Sequence, residues 1–313
     1  MPNKKETESE NFVVPGEYTI SCTTSPHATF GDPGYIKIKV LPTFSFHNWM
    51  KAVPNSQPLA NMTIFGTHNS CARRSDFVFG KCQTYNLAAQ LRMGARYLDI
   101  RCCVKKGSFQ MYHGPIDEKI NFDDVMNQCL AFLRDNPSET ILMRIKQEHS
   151  TASNQEFMNI FDGKYGEYRS SMYFNPSGAN VSLGAVRNKI TIISNVKTLA
   201  GIQWDDIRKQ DFDSENNVSK KWKLVKDQLD SASSAYAANY SGFYFNGLNA
   251  HNRDDANESI EHIAKEMRKK LLDYLKSTST QYYGILATDH IDIFNENDMK
   301  TIISCNNITG DIV

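Results

Sequence analysis

Hydrophobic and polar positions alternate with two different periods along this chain, and the change of period marks its elements. Short runs rich in β-branched and aromatic residues, at 61–65, 95–101, 108–112, 140–146, 189–194, 242–245 and 283–287, predict strands. Between them, apolar residues recur at helical spacing over 87–93, 122–134, 155–161, 220–235 and 259–276, and the stretch FHNWMKAV from residue 46 predicts a short helix. Strand and helix in alternation argue for a parallel sheet, either open or closed into a barrel. The gap between 101 and 108 is too short for a helical crossover, so a closed barrel would be irregular there. Ahead of this domain, residues 1–11 are charged and apolar-poor. EYTISCTT and YIKIKVL then flank a turn-rich SPHATFGDPG, the pattern of a β-hairpin. The expected organisation is a tail and hairpin over 1–45, followed by one α/β domain over 46–313.

Composition narrows the class. With 40% hydrophobic and 22% charged residues in 313, the chain can build a core, which excludes collagen-like and mostly disordered proteins. Lys plus Arg and Asp plus Glu both number 35, so no global field draws the protein to nucleic acid or to an anionic surface, and attraction to phosphate must be local. No apolar run approaches the ~18 residues of a transmembrane helix. The start, MPNKKETESE, lacks the apolar stretch of a signal peptide; the expectation is a cytoplasmic monomer as encoded, with secretion by another route as the alternative. Seven cysteines, without a C-x-x-C pair, read as reduced structural thiols, with a Cys71–Cys82 bridge as the alternative in an exported protein.

Candidate chemistry clusters at strand ends. His68 and Asn69 follow MTIFGT, Asp99 and Arg101 close RYLDIR, His113 follows SFQMY, Lys146 closes TILMRIK, and Asp289 follows YGILAT. The carboxyl ends of parallel barrel strands converge on one mouth. Each residue alone has a structural reading: a hydrogen-bonded histidine, an Asp99–Arg101 ion pair, a solvated Lys146, an Asp289 helix cap. Together, two histidines, an arginine and an aspartate form a set for phosphoryl transfer: a base, an acid, a cation for the phosphorane-like charge, and a carboxylate that orients one ring. No P-loop, dinucleotide-binding or zinc-hydrolase motif accompanies them.

The blocks PLANMTIFGTHNS, LRMGARYLDIR, MYHGPI and CLAFLRDNPSETILMRIKQE, in this order, resemble the X-type catalytic domain of bacterial phosphatidylinositol-specific phospholipase C, over roughly residues 46–303. The resemblance implies a distorted (β/α) barrel. It also implies metal-independent cleavage of phosphatidylinositol, or its glycosylated form, to diacylglycerol and inositol 1,2-cyclic phosphate. His68 then matches the general base and His113 the general acid. Arg101 matches the phosphate-stabilising arginine that stands where metal-dependent relatives carry a calcium-binding acid, with Asp99 the acid two residues before it. Asp289 matches the aspartate that orients the base; Lys146 and Asp211 match positions that contact inositol hydroxyls. The implied partner is an inositol lipid at a membrane surface, and calcium is not expected to be required. Asn69 departs from the Asp that most bacterial members carry, so an acid that balances Arg101 or supports His113 is either missing or supplied elsewhere. A catalytically silent inositide- or carbohydrate-binding barrel is the competing reading. Candidate lipid contacts are FVFG at 77–80 beside Arg73 and Arg74, and the aromatic run at Phe243–Phe245, for which an inner barrel strand is the alternative.

Overall fold

The computed structural model describes residues 16–21, 35–40, 43–74, 80–174, 181–215, 217–251, 259–278, 282–306, 308 and 311–312. β1 (Gly16–Ser21) and β2 (Tyr35–Val40) pair antiparallel as the N-terminal hairpin, and β3 (Thr43–Phe44) leads into a 3-10 helix at Phe46–Ala52. The domain proper runs β4 (Thr63–Thr67), α1 (Leu87–Arg92), β5 (Tyr97–Lys105), β6 (Ser108–His113), β7 (Ile116–Asn121), α2 (Phe122–Asp135) and β8 (Thr140–Gln147). It continues with α3 (Asn154–Tyr165), β9 (Met172–Tyr173), α4 (Leu183–Val186), β10 (Lys189–Ser194), β11 (Ile202–Gln203), β12 (Arg208–Gln210) and α5 (Val218–Ala237). β13 (Tyr244–Gly247), α6 (Ile260–Ser277), β14 (Gly284–Thr288), α7 (Glu296–Ile303) and β15 (Asp311–Ile312), which pairs with β3, complete it.

Eight strands form one parallel path in the order β11-β10-β8-β5-β4-β14-β13-β12. The path curls on itself. Tyr97 of β5 packs against Phe245 of β13 at 5.5 Å although two strands lie between them in the sheet, a contact possible only across a lumen. At the gap between the path's two ends, the Asp211 carboxylate after β12 reaches Arg144 of β8 at 3.7 Å, and the Arg144 guanidinium lies 3.5 Å above the Trp204 ring. The architecture is the distorted α/β barrel that the sequence predicts. Its irregularity falls where the short spacing places it: β5 turns through Lys106 and Gly107, both at positive φ, into the antiparallel ribbon β5-β6-β7.

Helices cover the outside with the faces their spacing predicts. α2 buries Phe122, Val125, Met126, Cys129, Phe132 and Leu133, and Asn121 caps it by accepting the Asp124 N–H. The strand run at 242–245 begins instead at Tyr244, and Phe243, Tyr244 and Phe245 are buried, so this stretch is core and not a lipid contact. FVFG lies, but for Gly80, outside the described residues. β7, β12 and α7 have no sequence-stated counterpart: the first two are polar strands held by their neighbours, and α7 is one short helix whose Met299, Ile302 and Ile303 pack into the core. Cys71, Cys82, Cys102, Cys103, Cys129 and Cys305 are all free and buried, which removes the Cys71–Cys82 bridge.

One buried ion pair fastens the amino-terminal side of the barrel. Arg96 and Glu139, both fully buried, meet at 2.7 and 2.8 Å; Arg96 also donates to the carbonyls of Leu91, Ala95 and Phe46, and Glu139 accepts the Met50 N–H. Removing one partner leaves a buried charge without its counterion. Glu139→Ala is therefore expected to cost about 3–5 kcal/mol, read as a lowered denaturation midpoint, whereas Arg96→Met with Glu139→Leu should recover much of that loss. A Glu139→Ala midpoint equal to the wild type would show that the pair carries no such weight.

Candidate active site

Chain geometry at one strand junction decides where the chemistry sits. Gly66 of β4 faces Tyr97 of β5 in the register, and a Cβ there would collide with the Tyr97 carbonyl. Glycine thus lets β4 and β5 close up, which brings the residues after β4 against those of β5. The His68 N–H bonds the Thr288 carbonyl, and the buried Gln83 donates through Nε2 to the carbonyls of both His68 and Thr288. The ends of β4 and β14 are stapled together, and their next side chains meet. His68 Nδ1 lies 2.8 Å from Asp289 Oδ1.

The second imidazole nitrogen is also engaged. An Arg101 Nη2–H points at His68 Nε2 over 2.8 Å, and a guanidinium can only donate. Nε2 is therefore the lone-pair nitrogen, and the proton sits on Nδ1, facing Asp289. Arg101 itself is held by Asp99, at 3.0 and 3.1 Å, and by Glu148 at 3.3 Å. Although burial works against its charge, Asp99 is held far below the usual carboxylate range by Arg101 and Arg144. Glu148 is likewise held down, against burial, by Arg101 and Lys146; it bonds Lys146 at 3.0 Å and accepts the Gly114 N–H at 3.0 Å. His113 closes β6 with Nδ1 on the Gly80 carbonyl at 2.7 Å; burial pulls its pKa below the ordinary histidine value, and His68 and Arg101 push the same way.

These groups share one cavity of about 290 Å³ at the carboxyl ends of the strands, lined by His68, Arg101, His113, Lys146, Glu148 and Asp289, with Asp213, Asn249 and His251 on its far wall. Asp99 and Asn69 stand behind Arg101 and outside the cavity lining. Asp211 is also outside it. Its carboxylate turns to Arg144, and burial, only partly offset by that arginine, raises its pKa; Asp213, two residues on, takes the wall position instead. Lys221, buried on α5, fixes this segment by donating to the Phe212 carbonyl at 2.7 Å and to Gln210, and burial pulls its pKa down to about 8. The acid that Asn69 leaves out is supplied by Asp99 and Glu148. Glu148 and Arg144 had a signal: Arg144 and Lys146 alternate on one face of β8, and Glu148, one residue past its end, continues the same spacing. Gln83 had none, because its role depends on two strand ends that only folding unites.

The cluster can hold an imidazole as a neutral base, keep a second imidazole within the same cavity as an acid, and meet an anion with Arg101 and Lys146. Residues 55–196 match the family model for the phosphatidylinositol-specific phospholipase C X domain. The 1-phosphatidylinositol phosphodiesterase of Listeria monocytogenes is 34% identical over 160 residues, which are 48% of this chain and 49% of that protein. In sequence, then, the match spans about half of that curated relative. The solved phosphatidylinositol-specific phospholipase C of L. monocytogenes superposes with TM-score 0.74 at 25% identity, covering 84% of this chain and 100% of that one. The Staphylococcus aureus phospholipase C with a pentafluoro-Phe superposes at 0.75 with 21% identity, over 84% and 98%, and shows the fold.

Asn69 tests the charge balance. Its backbone is left-handed at φ 46°, its N–H donates to Asp99 Oδ2 at 3.0 Å, and its buried Nδ2 has no partner. Asn69→Asp puts a second carboxyl beside Asp99. Burial and the like charge raise the new group's pKa above its unfolded value of about 3.9. The native state then keeps a proton that the unfolded state releases, so stability falls as pH rises through that window. The variant's midpoint deficit relative to wild type is expected to widen between pH 4 and pH 7; a deficit that is constant or narrows over this range overturns the assignment.

Proposed function

Because residues 55–196 match the family model for the phosphatidylinositol-specific phospholipase C X domain, we propose that this chain is a phosphodiester lyase acting on phosphatidylinositol or its glycosylated form. The products are diacylglycerol and inositol 1,2-cyclic phosphate. The observation that carries this reading is the single cavity with two imidazoles and a guanidinium, in which one imidazole has its tautomer fixed by Asp289.

The geometry supports a coupled exchange. The inositol 2-hydroxyl displaces the Arg101 N–H from His68 Nε2, and the released guanidinium N–H turns to a non-bridging phosphate oxygen. The hydroxyl oxygen bonds phosphorus as its proton passes to Nε2, and Asp289 stabilises the imidazolium. The bond from phosphorus to the glycerol oxygen breaks, and that oxygen takes the proton of His113 Nε2, since Nδ1 is committed to Gly80. Lys146, about one-third exposed, and the Asp213 wall are placed to meet ring hydroxyls. Calcium is expected to be dispensable, because Arg101 and Arg144 already neutralise Asp99.

No helix among the described residues is long and apolar enough to cross a membrane, so lipid contact is peripheral in this reading. Phe212, 61% exposed and next to the cavity-wall Asp213, and the exposed Arg73 and Arg74 are described residues suited to it.

Purified protein with phosphatidylinositol vesicles in excess chelator is expected to give a cyclic phosphate resonance in phosphorus NMR, with a glycosylated substrate as the parallel arm. His68→Ala and His113→Ala should each lower turnover ~10²–10⁴-fold. A silent binding barrel would bind vesicles and yield no cyclic product; activity that appears only with added calcium would defeat the metal-free reading. A second measurement concerns pH. The general acid must carry its proton, and His113 in the free protein has its pKa lowered from 6.5 by burial. kcat/KM should therefore fall as pH rises through a value below 6.5. The corresponding limb in kcat should lie higher, because bound phosphate anion favours the imidazolium. A kcat/KM limb at or above the ordinary histidine value would count against His113 as the acid.

A further inference from the structure

Cys82 has no part in the exchange described above, yet it stands beside it. Its N–H bonds the Ala72 carbonyl and its carbonyl takes the His290 N–H, so the loop holds it against the end of β14. Its thiol lines the same cavity as His68 and Asp289. The ligand atoms of these three buried residues lie within 4.8 Å of one another, the one such group among the described residues. We propose that Cys82, His68 and Asp289 form an inhibitory site for a thiophilic divalent cation of the zinc class.

The donor set is thiolate, imidazole and carboxylate, three protein ligands with a fourth position open to the cavity. A tetrahedral ion at bond lengths of ~2.0–2.3 Å places its ligands about 3.5 Å apart. His68 Nδ1 and Asp289 Oδ1, 2.8 Å apart, therefore need to part by somewhat under about 1 Å, while the widest of the three separations, up to 4.8 Å, closes by roughly 1 Å. Charge favours occupancy: the Cys82 thiolate and the Asp289 carboxylate together match a doubly positive ion. Arg101, the nearest cation, is already neutralised by Asp99 and Glu148. Calcium and magnesium, which prefer oxygen donors, are excluded by the thiol and the small ligand number.

Proton balance gives the functional consequence. A cysteine thiol is protonated at neutral pH in the absence of an ion, and it releases its proton on binding one. His68 binds through Nδ1, the nitrogen that faces Asp289, and its proton moves to Nε2, which can then no longer accept the Arg101 N–H, so that donor turns away into the cavity. One proton leaves per ion, and the base nitrogen is blocked. Inhibition of cleavage rests on the function proposed above, whereas binding does not.

The test is a titration of the full chain with cobalt(II), a spectroscopic probe for zinc, followed by zinc and calcium in the vesicle assay. One cobalt per chain with a thiolate-to-metal absorption band is expected, with release of one proton. The band should vanish in Cys82→Ala and Cys82→Ser and persist in Cys71→Ala. Asp289→Asn should keep the band and weaken cobalt by at least about ten-fold. Zinc, not calcium, should inhibit reversibly. Cys82→Ser should need at least about ten-fold more zinc to lose half of its own metal-free rate. Absence of a thiolate band, or its survival in both Cys82 variants, overturns the site. Because the spectrum requires no turnover, a protein that binds cobalt in this way and cleaves nothing would overturn the proposed activity and leave the metal site standing.

Discussion

The guanidinium of Arg101 is the group around which the mouth of this barrel is arranged. A cation so nearly enclosed is tolerable only when its donors are matched, and here they are divided between Asp99, Glu148 and the lone pair of His68. That division propagates. Asp99 accepts the Asn69 N–H, Glu148 reaches Lys146 and the Gly114 N–H, and His68 passes the constraint to Asp289. Elements from β4, β5, β6, β8 and β14 are thereby held in one electrostatic network.

Such a network is sensitive to charge number. Asp99 and Glu148 meet Arg101, Arg144 and Lys146, Asp289 is bonded to His68, and Asp211 is the one of these carboxylates in which burial outweighs the neighbouring arginine and raises the pKa. An asparagine at position 69 fits this balance, because a further carboxylate would have no cation left to meet. The unpartnered Nδ2 of Asn69 is the cost of that neutrality, about 1–3 kcal/mol for an unsatisfied buried donor.

The same enclosure explains why a thiol here differs from the other buried cysteines. Cys102 and Cys129 are surrounded by the hydrophobic residues of α2, β5 and β8 and behave as small apolar side chains. Cys82 packs with Ala72 and Ile260 on one side and opens toward the imidazole and carboxylate on the other.

The alternation of strand and helix, the irregularity after Arg101, and five cavity-lining residues, His68, Arg101, His113, Lys146 and Asp289, were legible in the sequence alone. Each lies at or near the end of an apolar run, and the ends of parallel strands share one rim by the geometry of the fold. Tertiary structure decided what local pattern does not encode. Asp211 faces Arg144 while Asp213 faces the cavity, because the curl of the sheet brings the end of β12 against β8. Gln83 joins His68 to Thr288, which lies 205 residues beyond Gln83 in the chain, and the aromatic run at Phe243–Phe245 is buried on both faces, Phe245 against Tyr97 in the lumen and Tyr244 against Tyr236 of α5. Polar strands such as Ile116–Asn121 carry little hydrophobic period of their own; their conformation comes from the backbone of the strand beside them, which only the folded chain supplies.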